Sequence, residues 1–318
     1  MKTPIFALAT ALALGSLFAS DVRAQANRPL IPEIVDVTHA TKESAALFRS
    51  FFTAKSRHNV DATMNHFSKS TLTYIDATLG WPYYTHGALR DVYVQYMPKW
   101  SATGLSYPTR ILGDERSALV IFTDTPELFG AEIRSLAAID IKDGKIVRWV
   151  DYWDGRHFGA ELAAKMRTPS DKFPTGFKDA TIPGNASPKI RAAANRLHAA
   201  FAGNDARAAA ALFTSDAVYE DMTLHTQILG RLAIERYLGR ALDKLPAGTG
   251  SSSVHVVGGD MGGGFEWQTA PAYRTTVRRG ITAIALDLEG KVSRLTTVWD
   301  GAMLPLDEVK ALAVLSID

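Results

Sequence analysis

Gly144-Lys145-Ile146-Val147-Arg148-Trp149-Val150-Asp151-Tyr152-Trp153-Asp154-Gly155 and Gly290-Lys291-Val292-Ser293-Arg294-Leu295-Thr296-Thr297-Val298-Trp299-Asp300-Gly301 read as two versions of one strand. Each follows a hairpin turn, Asp143-Gly144 or Glu289-Gly290, and each ends in Trp-Asp-Gly. The segments upstream repeat in the same order. An apolar helical stretch, Ser44 to Phe52 or Ile190 to Phe201, breaks at His58-Asn59-Val60-Asp61 or Gly203-Asn204-Asp205. A short helix leads to His66-Phe67 or Leu212-Phe213, then a strand, Thr71 to Asp76 or Ala217 to Asp221. A turn ends at His86-Gly87 or Leu229-Gly230, and a third helix runs from Ala88 to about Trp100 or from Arg231 to Leu242. Alternating, β-branched stretches close each copy: Ala118 to Phe122, Ala131 to Ile141 and Lys145 to Trp153; then Ser252 to Val257, Tyr273 to Leu288 and Lys291 to Trp299. Matching order at this scale indicates a duplicated unit.

The flanks divide the chain further. Lys2 and the apolar run Ile5 to Ala19, with Ala24 and Ala26 in an A-x-A pattern, read as a secretory signal over residues 1–26. The predicted layout continues with an extension at 27–42, a first domain at 43–158, a linker at 159–187, a second domain at 188–304 and a C-terminal helix at 305–318. The expected location is outside the cytoplasm, in the periplasm. With no cysteine, disulfides, thiol catalysis and thiolate-held metals are excluded. A formal charge of +2 over 318 residues argues against nucleic acid or an anionic membrane as a partner, and after signal cleavage no apolar run spans a bilayer. No His/Asp/Glu spacing marks a metal site, no Gly-x-Ser-x-Gly elbow is present, and the glycines from Gly258 to Gly264 read as a flexible loop. The expectation is therefore no metal and no cofactor.

Helices followed by strands predict an α+β fold: two tandem cone-shaped domains, each a curved, mostly antiparallel sheet packed on three N-terminal helices. This order, with Tyr74-Ile75-Asp76, Tyr219-Glu220-Asp221, His86-Gly87, Leu229-Gly230 and the two Gly-Lys…Trp-Asp hairpins, resembles the nuclear transport factor 2-like superfamily. Within it, SnoaL-like polyketide cyclases, ketosteroid isomerases and limonene epoxide hydrolases are the most similar. The resemblance covers nearly all of both copies.

Strand alternation decides which side chains share a face. Tyr74 and Asp76 point one way on their strand, and Trp149, Asp151 and Trp153 share a face of theirs. A carboxyl set among indoles on an apolar face holds its proton more tightly, which suits general acid–base work. The resemblance implies the same position: Asp151 falls on the acid/base aspartate of the cyclases, Asp76 and Asp221 on the isomerases' proton-shuttling aspartate, and Tyr74 on the epoxide hydrolases' water-positioning tyrosine. The candidate catalytic residues are thus Asp151, Asp76 and Tyr74, with Trp149, Trp153, His86, Asp124, Tyr84 and Tyr96 binding substrate. Three departures stand against a whole transfer of activity. Phe122-Thr123-Asp124 lacks the arginine of the epoxide hydrolases' Arg-x-Asp. Phe51, Phe52 and Thr53 replace the isomerases' helical tyrosine. In the second copy Thr297 replaces Asp151, leaving Tyr219, Asp221, Glu266 and Trp299 as a second-domain pocket.

Two functions follow. One is a cofactor-independent acid/base enzyme on a small apolar, aromatic or terpenoid-like molecule, acting as isomerase, cyclase, lyase/dehydratase or epoxide hydrolase from the first domain. The other is a non-catalytic periplasmic ligand-binding or assembly protein. Domains of this kind commonly pair, so the tandem copies also suit a homo-oligomer or an internal pseudo-dimer.

Overall fold

The computed structural model describes residues 31–33, 35–169, 171–174, 176–177, 182–270 and 275–317; the expected signal segment lies outside these, as do Tyr273 and the residues beside it at the start of one expected strand. The first half comprises β1 (Asp36–Ala40), α1 (Lys42–Ser56), α2 (Val60–Met64), β2 (Thr73–Asp76), β3 (Trp81–Tyr83), α3 (His86–Tyr96), β4 (Ser106–Gly113), β5 (Ser117–Asp124), α4 (Pro126–Phe129), β6 (Ile133–Lys142), β7 (Lys145–Tyr152) and α5 (Gly159–Met166). The second comprises α6 (Pro188–Ala202), α7 (Ala206–Ala210), β8 (Phe213–Asp221), β9 (Thr226–Leu229), α8 (Arg231–Ala241), β10 (Ser251–Gly258), β11 (Gly262–Thr269), β12 (Arg279–Leu286), β13 (Val292–Trp299) and α9 (Leu306–Val314). The sheets run β1-β4-β5-β6-β7-β2-β3 and β10-β11-β12-β13-β8-β9. Pairing is antiparallel except for β1 on β4 and the crossovers β2 on β7 and β8 on β13.

Local signals explain the helices. Thr41, Thr85 and Ser187 accept hydrogen bonds from the first-turn amides of α1, α3 and α6, and Asn59 and Asp205 do the same for α2 and α7. Phe48, Phe51 and Phe52 lie on one face of α1 and pack with Leu89 and Tyr93 against Val120, Phe122, Ala137, Ile139 and Trp149 on the inner face of the first sheet. Alternate residues of the same strands face outward. Leu119, Ile121, Leu136, Ala138, Val150 and Tyr152 meet Val257, Ile281, Ala283, Ala285 and Val298 of the second sheet in one apolar layer. The two sheets therefore pack back to back, and each keeps its other face for its own helices.

This junction explains three departures from the sequence reading. β1 falls in the stretch expected to be an extension, yet it extends the first sheet along β4, with Val35 and Val37 against the core. α5 occupies part of the expected linker. The supposed glycine loop contains the start of β11: a Cβ on Gly264 would lie 2.2 Å from the Thr282 carbonyl oxygen and 2.5 Å from Leu119 Cδ1, and one on Gly262 would lie 2.9 Å from His39 Cβ. These glycines let the sheets approach.

Polar groups fix the register of the junction. The Trp-Asp-Gly endings exchange bonds reciprocally: Gly155 N–H donates to Asp300 (3.1 Å) and Gly301 N–H donates to Asp154 (3.2 Å). Such i-to-j and j-to-i contact is what twofold self-association produces. At the centre Arg148 pairs with Glu266 at 2.6 Å, both almost fully buried, and Tyr152 OH donates to Glu266 at 2.7 Å. Asn185 and His255 both bond Asp140. We expect Glu266→Leu to lower stability by about 3–5 kcal/mol, since it strips the buried Arg148 of its carboxylate; the midpoint of urea unfolding measures this, against an Arg148→Met/Glu266→Leu double variant that recovers much of the loss.

Candidate functional site

β2 and β7 run side by side in parallel with Asp76 opposite Asp151 and Tyr74 opposite Trp149, which sets these side chains on the inner face of the first sheet. Asp151 is buried. Its Oδ2 accepts from the Trp149 indole (2.9 Å) and from the Tyr74 hydroxyl (3.1 Å), while its Oδ1 has no hydrogen bond among the described residues. Tyr93 of α3 is buried in the same core, and burial raises its hydroxyl, the Asp151 charge adding to this. Burial pushes the Asp151 carboxyl well above its ordinary range and the neighbouring Asp76 charge pushes it further, against the Trp149 and Tyr74 hydrogen bonds and the Lys55 charge. Burial likewise raises the Tyr74 hydroxyl, with the Asp151 charge adding to it.

Asp76 is held differently. Its Oδ1 accepts from the Leu79 amide (2.8 Å) and its Oδ2 from the Trp153 indole (3.1 Å). Burial pushes it up to about 6 despite those bonds, the Thr78 amide and the nearby Arg167 charge. The two indoles expected to flank Asp151 thus divide: Trp149 serves Asp151 and Trp153 serves Asp76.

The remaining candidates fall in several places. Asp124, at the end of β5, pairs with Lys55 of α1 at 2.9 Å, both side chains buried. His86 opens α3 and bonds the Met64 carbonyl. Tyr84 and Tyr96 are exposed. Sequence reasoning missed Lys55 as a site residue, although it follows Phe48, Phe51 and Phe52 at the spacing that keeps one helical face. Tyr93 of α3, by contrast, lies inside, buried against the core.

In the second half Asp221 repeats the bonding of Asp76: the Thr223 and Leu224 amides (2.9 Å each) and the Trp299 indole (3.2 Å). Burial pushes it, too, up to about 6. Tyr219 meets Tyr237 of α8 edge-on with ring centroids 5.3 Å apart. Thr297 stands opposite Asp221 and gives its hydroxyl to the Ile281 carbonyl. Glu266 does not join this group; its strand phase turns it outward into the junction with Arg148 and Tyr152, which corrects the expected second-domain pocket.

A cleft of about 550 Å³ opens where the halves diverge, lined by Arg110, Arg134, Glu220, Arg294 and others. In its wall Asp154, His157 and His225 bring ligand atoms within 4.8 Å of one another, a convergence of distant residues that sequence spacing does not show. Both Asp154 oxygens already accept from Arg156, and Oδ1 also accepts from Gly301 N–H, so the carboxylate is engaged as a structural cap. No helix among the described residues is long and apolar enough to cross a membrane.

Comparison with known proteins places this architecture. No family profile matches the chain. A steroid Δ-isomerase of Nocardioides simplex is 30% identical over 113 residues, 36% of this chain and 91% of its own length. Solved structures with similarity include a steroid Δ-isomerase of Pseudomonas aeruginosa (16% identity, 43% of this chain and 93% of that one, TM-score 0.32). Another is a nuclear transport factor 2-like protein of unknown function from Burkholderia pseudomallei (15% identity, 40% and 100%, TM-score 0.31). With its cone of helices on a curved sheet and this isomerase relative, the chain belongs to the nuclear transport factor 2-like superfamily.

Proposed function

We propose that this protein is a cofactor-independent isomerase that moves a proton within a small apolar substrate, and that the first half holds the active site. One observation carries the reading: Asp151 is buried and fixed through Oδ2, yet keeps Oδ1 unbonded on the inner face of the cone. A buried carboxyl with raised proton affinity is a stronger base than a solvated one. In the proposed reaction Asp151 Oδ1 takes a proton from an activated carbon, the electron pair left behind shifts the double bond, and the same oxygen returns the proton to another carbon. No water or external oxidant is required. Tyr74 holds the carboxyl in position through its hydroxyl.

Asp76 acts through Asp151 and is the positioning residue of the pair. Both of its oxygens are engaged, and the same arrangement recurs at Asp221, where Thr297 replaces the catalytic carboxyl. Its part is electrostatic: a negative charge beside Asp151 that favours the protonated form. The resemblance to a steroid Δ-isomerase makes a β,γ-unsaturated steroid ketone the first substrate to assay.

Asp151→Asn keeps the shape and the two hydrogen bonds to Oδ2. We expect conversion of that ketone, followed by the absorbance of the conjugated product, to fall about 10²–10⁴-fold, as loss of a general base does, with the melting temperature little changed. A variant as active as the parent ends the proposal. The pH profile gives a second check. The base form of Asp151 is the active one, so kcat/KM rises with pH through its elevated pKa. Asp76→Asn removes the adjacent negative charge and lowers the proton affinity of Asp151, so the rising limb moves to lower pH. A limb that stays in place rules out this role for Asp76.

A further inference from the structure

The first cone carries a second buried pair that the proton-transfer scheme does not use. Lys55 Nζ lies 2.9 Å from Asp124 Oδ1 and 3.3 Å from Oδ2, and 5.4 Å from the centre of the Phe122 ring. Lys55 is only 7% exposed. An ammonium has three N–H donors. Asp124 is the one hydrogen-bond partner of the Lys55 ammonium among the described residues, which leaves one of its donors without a protein acceptor. Leaving such a donor without an acceptor is costly, which points to a ligand oxygen as the missing partner.

The second half shows that the fold does not need this pair. Lys55 is the penultimate residue of α1, and Phe201 holds that place in α6. Asp124 ends β5, and Thr269 ends β11. Phe201 packs into the second core among Leu197, Phe213 and Trp267. An apolar residue therefore fills the equivalent place, in agreement with the general finding that a buried ion pair gives a fold little that a well-packed apolar pair does not. The pair is also close to the proposed chemistry: the Lys55 charge acts on Asp151, and the Asp124 charge acts on Tyr74 and Tyr93.

We propose that Lys55 is a catalytic residue whose ammonium receives the carbonyl oxygen of a ketone substrate, with Asp124 as the positioning residue that aims it. This rests on the proton-transfer reading and adds to it. When Asp151 removes the proton, the electron pair moves through the carbon framework onto the carbonyl oxygen, and Lys55 stabilises the enolate by a charge-assisted hydrogen bond. When the proton returns, the pair moves back and the carbonyl reforms. Lys55 keeps its own proton throughout. The site thus selects apolar ketones with an acidic α-hydrogen, and it binds the enolate more tightly than the ketone.

The test uses 2-naphthol as a stable stand-in for an enolate and 2-methoxynaphthalene as a control that cannot ionise. Binding is read from their absorbance and fluorescence, which also distinguish naphthol from naphtholate. The wild-type chain is expected to bind 2-naphthol with naphtholate character. Lys55→Met should weaken that binding about 10- to 100-fold, the range of one charge-assisted hydrogen bond, and change 2-methoxynaphthalene binding far less. With the steroid ketone, kcat should drop while KM stays close to that of the parent. Because Lys55→Met leaves Asp124 buried alone, Lys55→Met/Asp124→Asn is run beside it and should show the same loss of naphtholate selectivity in a folded protein. Equal naphtholate binding by the wild type and the double variant overturns the inference, as does failure of the wild type to bind 2-naphthol. An unchanged kcat in the double variant also overturns it. Failure of the proton-transfer reading is seen separately, as an Asp151→Asn variant that isomerises normally while naphthol binding still depends on Lys55.

Discussion

The organisation of this molecule follows from the apolar layer between its two sheets. A curved sheet with helices in its concavity leaves its convex face bare, and here that face carries an apolar layer of its own. Val150 and Ile281 are fully buried in the layer between the sheets. Each half covers the other, and the reciprocal Asp154–Gly301 and Asp300–Gly155 bonds fix the alignment. Because β7 is clamped on its outer face by this layer, its inner residues project from a stiff support. That rigidity is what a carboxyl needs if it is to hold one geometry through a proton transfer.

Duplication supplies an internal control for assigning roles. A feature present in both halves answers to the fold, and a feature confined to one answers to something else. The aspartate that ends β2 or β8, bonded to two amides or one and to the tryptophan two residues beyond the opposing position, occurs in both. So does the threonine that bonds that tryptophan's backbone at both ends, Thr78 with Trp153 and Thr223 with Trp299. The Asp151 carboxyl, the Trp149 indole that holds it and the Lys55–Asp124 pair occur only in the first half. Their places in the second are taken by Thr297, Leu295, Phe201 and Thr269.

Much of this was legible in the sequence. Repetition of the Gly-Lys…Trp-Asp-Gly strand shows the duplication, alternation places Asp151 on the face of Trp149, and burial among indoles accounts for the raised proton affinity. The rest was hidden for identifiable reasons. Glu266 looked like a second-half acid because composition cannot say which face of β11 points inward, and a one-residue change of phase reverses it. Gly262 to Gly264 looked like a loop because the reason for small residues there is the neighbouring sheet, which no local pattern reveals. Lys55 escaped notice because lysines mostly lie on surfaces, although its spacing from Phe51 and Phe52 already put it on the buried stripe.

The distribution of polar groups also divides the labour between the halves. Burying ionisable side chains weakens a fold unless packing elsewhere compensates. Beyond the aspartate that both halves bury, Asp76 or Asp221, the first half places Asp124, Asp151 and Lys55 inside or beside its core. The second has Thr269, Thr297 and Phe201 in those places and buries a more extensive apolar cluster. Since the sheets share one interface, the stability of the second half is available to the first through the common layer. Covalent linkage keeps the second half on that layer at any concentration, which two separate halves joined as a dimer could not match when dilute.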